Sequence, residues 1–257
     1  MPQALLEIEH VGKRFGGVAA LTDVTMAIAH NEIVGLIGPN GAGKTTLFNC
    51  ITGVLRPDRG AIRFGREQKE SLVGLSADQV TECGMARTFQ NVRLFTNMTV
   101  LENVLVGTYP RTHAGLLSAV CMTRVAQHEE RWASDRAMGL LEMLGLSAYA
   151  RELASTLPFG LQRRLELARA LASEPELLLL DEPAAGLNPT EKQELLALIE
   201  RLRGQGLTVL LIDHDMRFVM PISDRVVVLD YGQKIAEGPP GAVQNDPRVI
   251  EAYLGKT

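Results

Sequence analysis

The chain alternates between short apolar runs and longer stretches in which hydrophobic residues recur at helical spacing. The apolar runs have the length of strands and read LLEIE, EIVGLIG, AIRF, ELLLLD, TVLLID and RVVVLD. The run Leu177–Leu180 is apolar at every position, which is typical of a strand buried on both faces of a parallel sheet. Helical spacing follows several of these strands, as in GKTTLFNCITGVL and PTEKQELLALIERLRGQG. The alternation predicts an α/β fold with a mostly parallel sheet.

The region from Asn91 to Leu157 departs from this alternation. It has few strand signals and long amphipathic stretches such as VAQHEERWASDRAMGLLEMLGL. We therefore expect a helical subdomain over 91–157, inserted between two segments of an α/β core, 1–90 and 158–257. In the core, Gly204 and Gly206 are expected to end a helix by supplying its C-cap.

Composition narrows the function classes. The 26 Lys and Arg against 30 Asp and Glu give a net charge of −4, which argues against broad affinity for nucleic acid. The cysteines Cys50, Cys83 and Cys121 show no Cys-x-x-Cys spacing, so we expect free thiols in a reducing compartment and no metal cluster. The start MPQALLEIEH lacks the features of a signal peptide, and no apolar run approaches the ~20 residues of a membrane span.

A glycine-rich loop carries the clearest chemistry. Gly38–Thr45 fits G-x-x-x-x-G-K-[ST], directly after the run EIVGLI and at the start of a helical pattern. Glycines let the backbone turn its N–H groups toward phosphate oxygens, and the helix N-terminus adds its positive dipole end. Lys44 would supply charge for the β and γ phosphates, and the Thr45 hydroxyl would bind Mg²⁺. The flanking strand and helix argue against a chance glycine turn.

Two carboxylates follow the apolar run that ends at Leu180. Asp181 can hold Mg²⁺, and Glu182 can act as the general base that polarises an attacking water. A solvated strand exit is the alternative, but the glycine loop in the same chain disfavours it. His214 also follows an apolar run, and it is either a hydrogen-bonded structural residue or a ligand of the γ-phosphate. Gln90 is either a polar surface residue or a neutral ligand of Mg²⁺ and water.

These residues resemble those of the ATP-binding subunits of ABC transporters over nearly the whole chain. The resemblance makes Gly38–Thr46 the Walker A motif, Leu177–Asp181 the Walker B motif and Glu182 the catalytic glutamate. It makes Gln90 the Q-loop glutamine and His214 the switch histidine, so that Glu182, His214 and Gln90 are the expected catalytic residues.

The resemblance also implies a fold and a set of ligands. The fold is a P-loop NTPase with a RecA-like, mostly parallel sheet, a small antiparallel β part and an inserted helical subdomain. The cofactors are ATP and Mg²⁺. Phe15 is expected to stack on adenine, with a core-facing phenylalanine as the alternative. The implied nucleotide-binding residues are Phe15, Gly38, Pro39, Asn40, Gly41, Ala42, Gly43, Lys44, Thr45, Thr46 and Gly160, and the implied metal ligands are Thr45, Gln90 and Asp181.

The family's signature segment, usually LSGGQ, departs from its pattern here. It reads Leu157-Pro158-Phe159-Gly160-Leu161 and is followed by QRRLELARAL. Pro158 has neither a hydroxyl nor an N–H, and Leu161 replaces a polar glutamine. We therefore hypothesise that the signature segment of this chain interacts weakly with nucleotide. The Gly160 N–H and the helix dipole behind it remain available.

Several strings are similar to one branch of the family, the subunits that serve branched-chain amino acid import. They are EPAAGLNP, with Asn188 where aspartate is frequent, IDHDMRFVM, ISDRVVVLDYGQKIAEG and VIEAYLG. RTHAGLLSAV resembles the longer of the two ATPase types in that branch. Importers for urea or amides share much of this pattern and stay open as an alternative.

The resemblance implies an ATPase that works with other subunits. ATP would close this cassette on a second ATP-binding subunit, identical or different, and separate transmembrane permease subunits would convert closure into transport. An extracytoplasmic binding protein would take part indirectly, and the chain would lie at the cytoplasmic face of the inner membrane. The rival classes are an ABC-type ATPase acting on nucleic acid or ribosomes, a kinase, and a nucleotide-binding regulator without turnover. A single phosphate loop, no sustained heptads and the acidic balance argue against the first.

Overall fold

The structure is a computed structural model that describes residues 3–67, 69–90, 92–111 and 124–254. For residues 124–127 and 254 it describes the backbone alone. Cys121 and most of the string RTHAGLLSAV lie outside the described residues. Cys50 and Cys83 are free thiols.

The described chain forms two sheets and a set of helices. The strands are β1 (Ala4–Phe15), β2 (Val18–Ala29), β3 (Ile33–Ile37), β4 (Arg59–Phe64), β5 (Glu70–Ser71), β6 (Met85–Arg87), β7 (Leu177–Asp181), β8 (Thr208–Ile212), β9 (Arg225–Asp230) and β10 (Gln233–Gly238). The helices are α1 (Lys44–Ile51), α2 (Ala77–Glu82), α3 (Val100–Thr108), α4 (Arg124–Met143), α5 (Phe159–Ala172), α6 (Pro189–Gly204), α7 (Met216–Ile222), α8 (Pro240–Gln244) and α9 (Pro247–Leu254).

The larger sheet has six strands in the order β10-β9-β3-β8-β7-β6. All of its pairs are parallel except β9 with β10, so the predicted mostly parallel α/β sheet is confirmed. The smaller sheet, in the order β2-β1-β4-β5, is antiparallel throughout, as the resemblance implies. No helix of the described residues combines the length and the apolar character that crossing a bilayer requires.

The central strands are apolar at consecutive positions because each of their faces lies in a different core. Leu177 and Leu179 pack with α1 and the antiparallel sheet. Leu178 and Leu180 pack on the opposite face, with helices α3 to α7. Successive strand residues point to opposite faces, so a strand covered on both sides favours apolar residues at every position except its ends.

The inserted region is helical where it is described. α3 packs along both α4 and α5. An antiparallel β-bridge between Thr99 and Leu153 joins the beginning of the inserted region to its end. α5 thus connects this region to the core, and the division at 91–157 stays a prediction. At the end of α6, Gln205 occupies the C-cap, and Gly206 after it takes the left-handed conformation with φ +95°. Of the two expected capping glycines, Gly206 thus lies just past the helix end, whereas Gly204 is the last helical residue.

Candidate functional site

The parallel strands bring distant residues to one edge of the sheet. In their register, Leu36 of β3 lies beside Ile212 of β8, and Ile212 lies beside Asp181 of β7. The glycine loop (Gly38–Thr45) therefore leaves the sheet two strands away from Asp181, with the segment after β8 between them. The carboxyl ends of parallel strands are where open α/β sheets bind ligands.

The backbone of the glycine loop needs its glycines. Gly38, Gly41 and Gly43 have φ values of 150°, 82° and 101°, which side chains rarely allow. A Cβ on Gly38 would lie 2.1 Å from the Leu229 carbonyl oxygen, and one on Gly43 would lie 2.5 Å from that of Ala20. Gly43 is also the N-cap of α1, so the loop delivers the free N–H groups of a helix start to its own centre.

Lys44 is the cation of this loop. Its Nζ donates to the carbonyl oxygens of Gly38, over 2.6 Å, and Pro39, over 2.9 Å. Burial lowers the pKa of Lys44, and the charge of Glu182 partly offsets that effect. An ammonium group that is half-buried and held by carbonyl dipoles gains from an anionic ligand, which would replace the water it has lost.

Asp181 is buried and paired with an arginine that the sequence interpretation missed. Arg87, the last residue of β6, donates from Nη2 to Asp181 Oδ2 over 2.7 Å, and the two side chains are 10% and 6% exposed. Nη1 of Arg87 reaches Asn49 Oδ1 on α1 and Oγ1 of Thr52, the C-cap of that helix. The signal in the sequence was a charged residue in the string MARTFQ, just before Gln90, but its partner lies 94 residues away.

The oxygen donors at this edge suit Mg²⁺. Thr45 is exposed at the start of α1, and Oδ1 is the carboxylate oxygen of Asp181 that Arg87 does not engage. Gln90 adds a side-chain amide oxygen. Mg²⁺ prefers a few such oxygen ligands together with water and phosphate. In the described residues, no three His, Cys, Asp or Glu side chains form a metal-binding group.

Glu182 directly follows β7, and its side chain is 23% exposed. Its backbone has φ +48°, which costs of order 1–3 kcal/mol in a residue with a side chain, and its N–H donates to the Ile212 carbonyl over 2.8 Å. Gln90 Nε2 donates to Glu182 Oε2 over 3.0 Å. Nδ1 of His214 lies 3.7 Å from Glu182 Oε1, and its side chain is 66% exposed. The three residues expected to be catalytic thus lie close together, and the role of His214 stays a prediction.

Asp213 is a further residue of the site that the sequence interpretation missed. It is 1% exposed and accepts from the backbone N–H groups of Asp215 and Ala184, over 2.9 and 3.3 Å. Burial raises the pKa of Asp213. The bond from Ala184 holds the segment that carries His214 against the segment that follows Glu182, and the bond from Asp215 lies within the His214 segment itself. The chain already showed the acid beside His214, but its burial depends on the packing of both segments.

Phe15, the signature segment and Asn188 are the other positions that the sequence singled out. Phe15 is 48% exposed, with Lys13 Nζ 5.7 Å from the centre of its ring, so the core-facing alternative is wrong. The signature segment (Leu157–Leu161) lies at the start of α5, where Pro158 is the N-cap and no side chain caps the helix. In the loop between β7 and α6, Asn188 caps α6: its side-chain oxygen accepts a hydrogen bond from the Glu191 N–H over 2.9 Å.

The C-terminal helix also contacts the glycine loop. The Tyr253 hydroxyl accepts a hydrogen bond from the Gly38 backbone N–H, and burial raises the pKa of this phenol. α9, from the far end of the chain, therefore lies close to the first residue of the loop. Nothing in the sequence around Tyr253 signalled this contact.

Comparisons with known proteins agree with this geometry. The family model "ABC transporter" matches residues 21–185, and "Branched-chain amino acid ATP-binding cassette transporter" matches residues 233–257. The chain is 48% identical, over the full length of both proteins, to the high-affinity branched-chain amino acid transport ATP-binding protein LivG of Salmonella typhimurium. It is 44% identical, again over both full lengths, to BraF of Pseudomonas aeruginosa, which has the same description. A solved ATP-binding cassette of an ABC transporter in its ADP conformation superimposes with a TM-score of 0.84 and 32% identity, covering 98% of this chain and 99% of that one.

Proposed function

The chain belongs to the ATP-binding subunits of ABC transporters, and from this premise we propose that it hydrolyses ATP to energise import of branched-chain amino acids. The observation that carries the hydrolytic part is the meeting of Glu182, Gln90 and His214 beside the glycine loop. Membership of this family excludes the kinase alternative.

The site residues take the following roles in this proposal. Gly38–Thr46 cradles the phosphates with backbone N–H groups, and Lys44 turns from the loop carbonyls to the β and γ phosphates. Glu182 accepts the proton of a water that attacks the γ-phosphate, while Gln90 and His214 orient that water and the phosphate. The hydrogen bond between Gln90 and Glu182 supports this assignment because both must touch the same water.

Mg²⁺ would be held by Thr45, Gln90 and Asp181, and would neutralise charge on the phosphates. Phe15, exposed at the end of β1, is available to stack on adenine. Its exposure supports that role because a half-exposed aromatic ring gains area from a flat partner.

The working unit is an assembly. The Gly160 N–H and the start of α5 face a nucleotide held by a second cassette, identical or different, and transmembrane permease subunits pass the closure of the pair to the transport path. The extracytoplasmic binding protein acts through those subunits. The chain thus works from the cytoplasmic face of the inner membrane, bound to its permease.

Branched-chain amino acids are the proposed cargo because the relatives named for them match the whole chain, and the branched-chain family model matches β10 and the C-terminal helices. The test is uptake of labelled leucine, isoleucine and valine by cells with and without this chain, with urea and a short amide as competing cargoes. We expect loss of branched-chain uptake alone. Loss of urea or amide uptake instead would overturn the cargo, and failure of the purified chain to bind ATP with Mg²⁺ in calorimetry would overturn the whole proposal.

A further inference from the structure

A buried ion pair on α5 holds the backbone on both sides of Gln90. Arg163 and Glu166 are 8% and 2% exposed, and Arg163 Nη1 lies 3.3 Å from Glu166 Oε2. The two residues are about one helical turn apart, and they lie two and five residues after Leu161, where the signature segment ends. Burying this pair is costly unless its remaining donors and acceptors are used.

The hydrogen bonds that the pair makes to the backbone fall on a single stretch of chain, whereas Nε of Arg163 is buried without a partner among the described residues. Arg163 donates from Nη1 to the Phe89 carbonyl over 2.9 Å and from Nη2 to the Gln90 carbonyl over 2.5 Å. Glu166 Oε1 accepts from the Phe89 N–H over 3.2 Å, and the same carboxylate accepts from the Arg93 N–H. The planar guanidinium bridges two neighbouring carbonyls, which a lysine ammonium cannot do in the same way.

From these contacts we propose that Arg163 and Glu166 are a positioning pair that fixes Gln90 relative to the signature segment. The pair does not touch the reacting atoms. It ties the backbone of Gln90, whose side chain reaches Glu182, to the helix whose start carries Gly160. This inference rests on the proposed function, in which Gly160 faces the nucleotide of the second cassette and Gln90 faces this chain's own.

The consequence is a rigid link between the two nucleotides of the assembly. When the start of α5 moves to engage the second nucleotide, the Phe89–Gln90 backbone moves with it, because three hydrogen bonds from the Arg163 and Glu166 side chains join them. The position of Gln90 at Glu182 then depends on whether the signature segment is engaged. Such a link couples the sites through one two-state element.

The first test compares Arg163→Lys with Arg164→Lys. Arg164 is the matched control because it lies on the same helix but bonds to the Leu144 carbonyl and Glu194, away from Gln90. We expect Arg163→Lys to lower kcat of the assembled transporter about 10-fold, with KM for ATP within about twofold, because positioning affects the reacting geometry more than binding. Arg164→Lys should leave both values within about twofold.

A double-variant cycle separates positioning from general damage. If Arg163 acts through Gln90, Arg163→Lys should lower kcat less than about threefold in a Gln90→Ala background. A multiplicative loss of the full 10-fold there would overturn the proposal. Equal kcat values for Arg163→Lys and Arg164→Lys would also overturn it.

Hydrogen exchange gives a readout without turnover. In the full chain, a non-hydrolysable ATP analogue with Mg²⁺ should slow exchange both in residues 86–93 and at the start of α5, and Arg163→Lys should abolish the second response while keeping the first. An unchanged response of α5 in Arg163→Lys would overturn the positioning pair. Absence of any response in the wild type, together with no binding in calorimetry, would overturn the proposed function instead.

Discussion

The glycine loop and the signature segment are both assigned to nucleotide, yet they are built in opposite ways. The loop is complete within the chain: Gly38 and Gly43 leave no room for a Cβ, and Lys44 is held by loop carbonyls. The signature segment begins a helix with Pro158, has no side-chain cap and exposes 45% of Phe159. A surface that grips phosphate has to be rigid beforehand, whereas a surface completed by a second subunit has to remain open.

The largest expected effect is the loss of the general base, Glu182, beside the glycine loop. In Glu182→Gln, the amide still hydrogen-bonds water but cannot take its proton, so turnover should fall about 10²- to 10⁴-fold. ATP binding should persist because the phosphate contacts remain. Phosphate release and calorimetry measure the two quantities, with the exposed Glu200→Gln as the control. Near-normal hydrolysis by Glu182→Gln would refute its role as the base.

The next largest effect concerns the buried ion pair between Arg87 and Asp181. Arg87→Met leaves the Asp181 carboxylate buried without its partner, which should lower the free energy of unfolding by about 3–5 kcal/mol. Urea denaturation measures this loss. Arg66→Met is the matched control, because the Arg66–Glu176 pair is exposed and should contribute about 0–1 kcal/mol.

A double variant tests whether the loss of stability in Arg87→Met comes from the unpaired charge of Asp181. Adding Asp181→Asn to Arg87→Met removes the unpaired charge, so it should restore most of the lost stability. If the double variant is no more stable than Arg87→Met alone, the stabilisation by Arg87 comes from its contacts with α1 rather than from charge pairing.

A smaller effect concerns the contact between the C-terminal helix and the glycine loop. Tyr253→Phe removes the acceptor of the Gly38 N–H, which should cost about 1 kcal/mol, or about fivefold in ATP affinity if the whole cost falls on the loop. Calorimetry measures the affinity. Tyr231→Phe is the control because Tyr231 is 85% exposed. Equal affinities for the two variants would show that α9 does not order the loop.

The smallest effect tests the signature segment itself. If Leu161 weakens the signature side, Leu161→Gln should raise the ATPase rate of the reconstituted transporter about twofold to tenfold, the range of one hydrogen bond. Leu161 lines a mostly apolar cavity with Leu180, Leu195 and Leu198, so the same change should lower stability by about 1 kcal/mol.

Leu161→Ala serves as the control for this last prediction, since it removes the apolar contact without adding a polar group. It should lower stability without raising the rate. An unchanged rate for Leu161→Gln would remove the idea of a weak signature side.

Prediction from sequence was most successful where the signal is local. The strands β3, β7, β8 and β9 were visible as apolar runs because both of their faces are buried. The strands β2 and β10 escaped, since their burial alternates irregularly and their bounds depend on pairing with β1 and β9. The order of the strands required the tertiary structure, because pairing is decided by contacts far apart in the chain.

The amino-acid sequence alone determined the glycine loop, the two carboxylates after β7 and the family resemblance, because these depend on neighbouring residues and their spacing. The tertiary structure alone decided how the charges are matched: Asp181 with Arg87, and the Gln90 backbone with Arg163 and Glu166. A buried charge can take its partner from any part of the chain that folding brings within hydrogen-bond distance. Its identity therefore follows from packing and not from spacing.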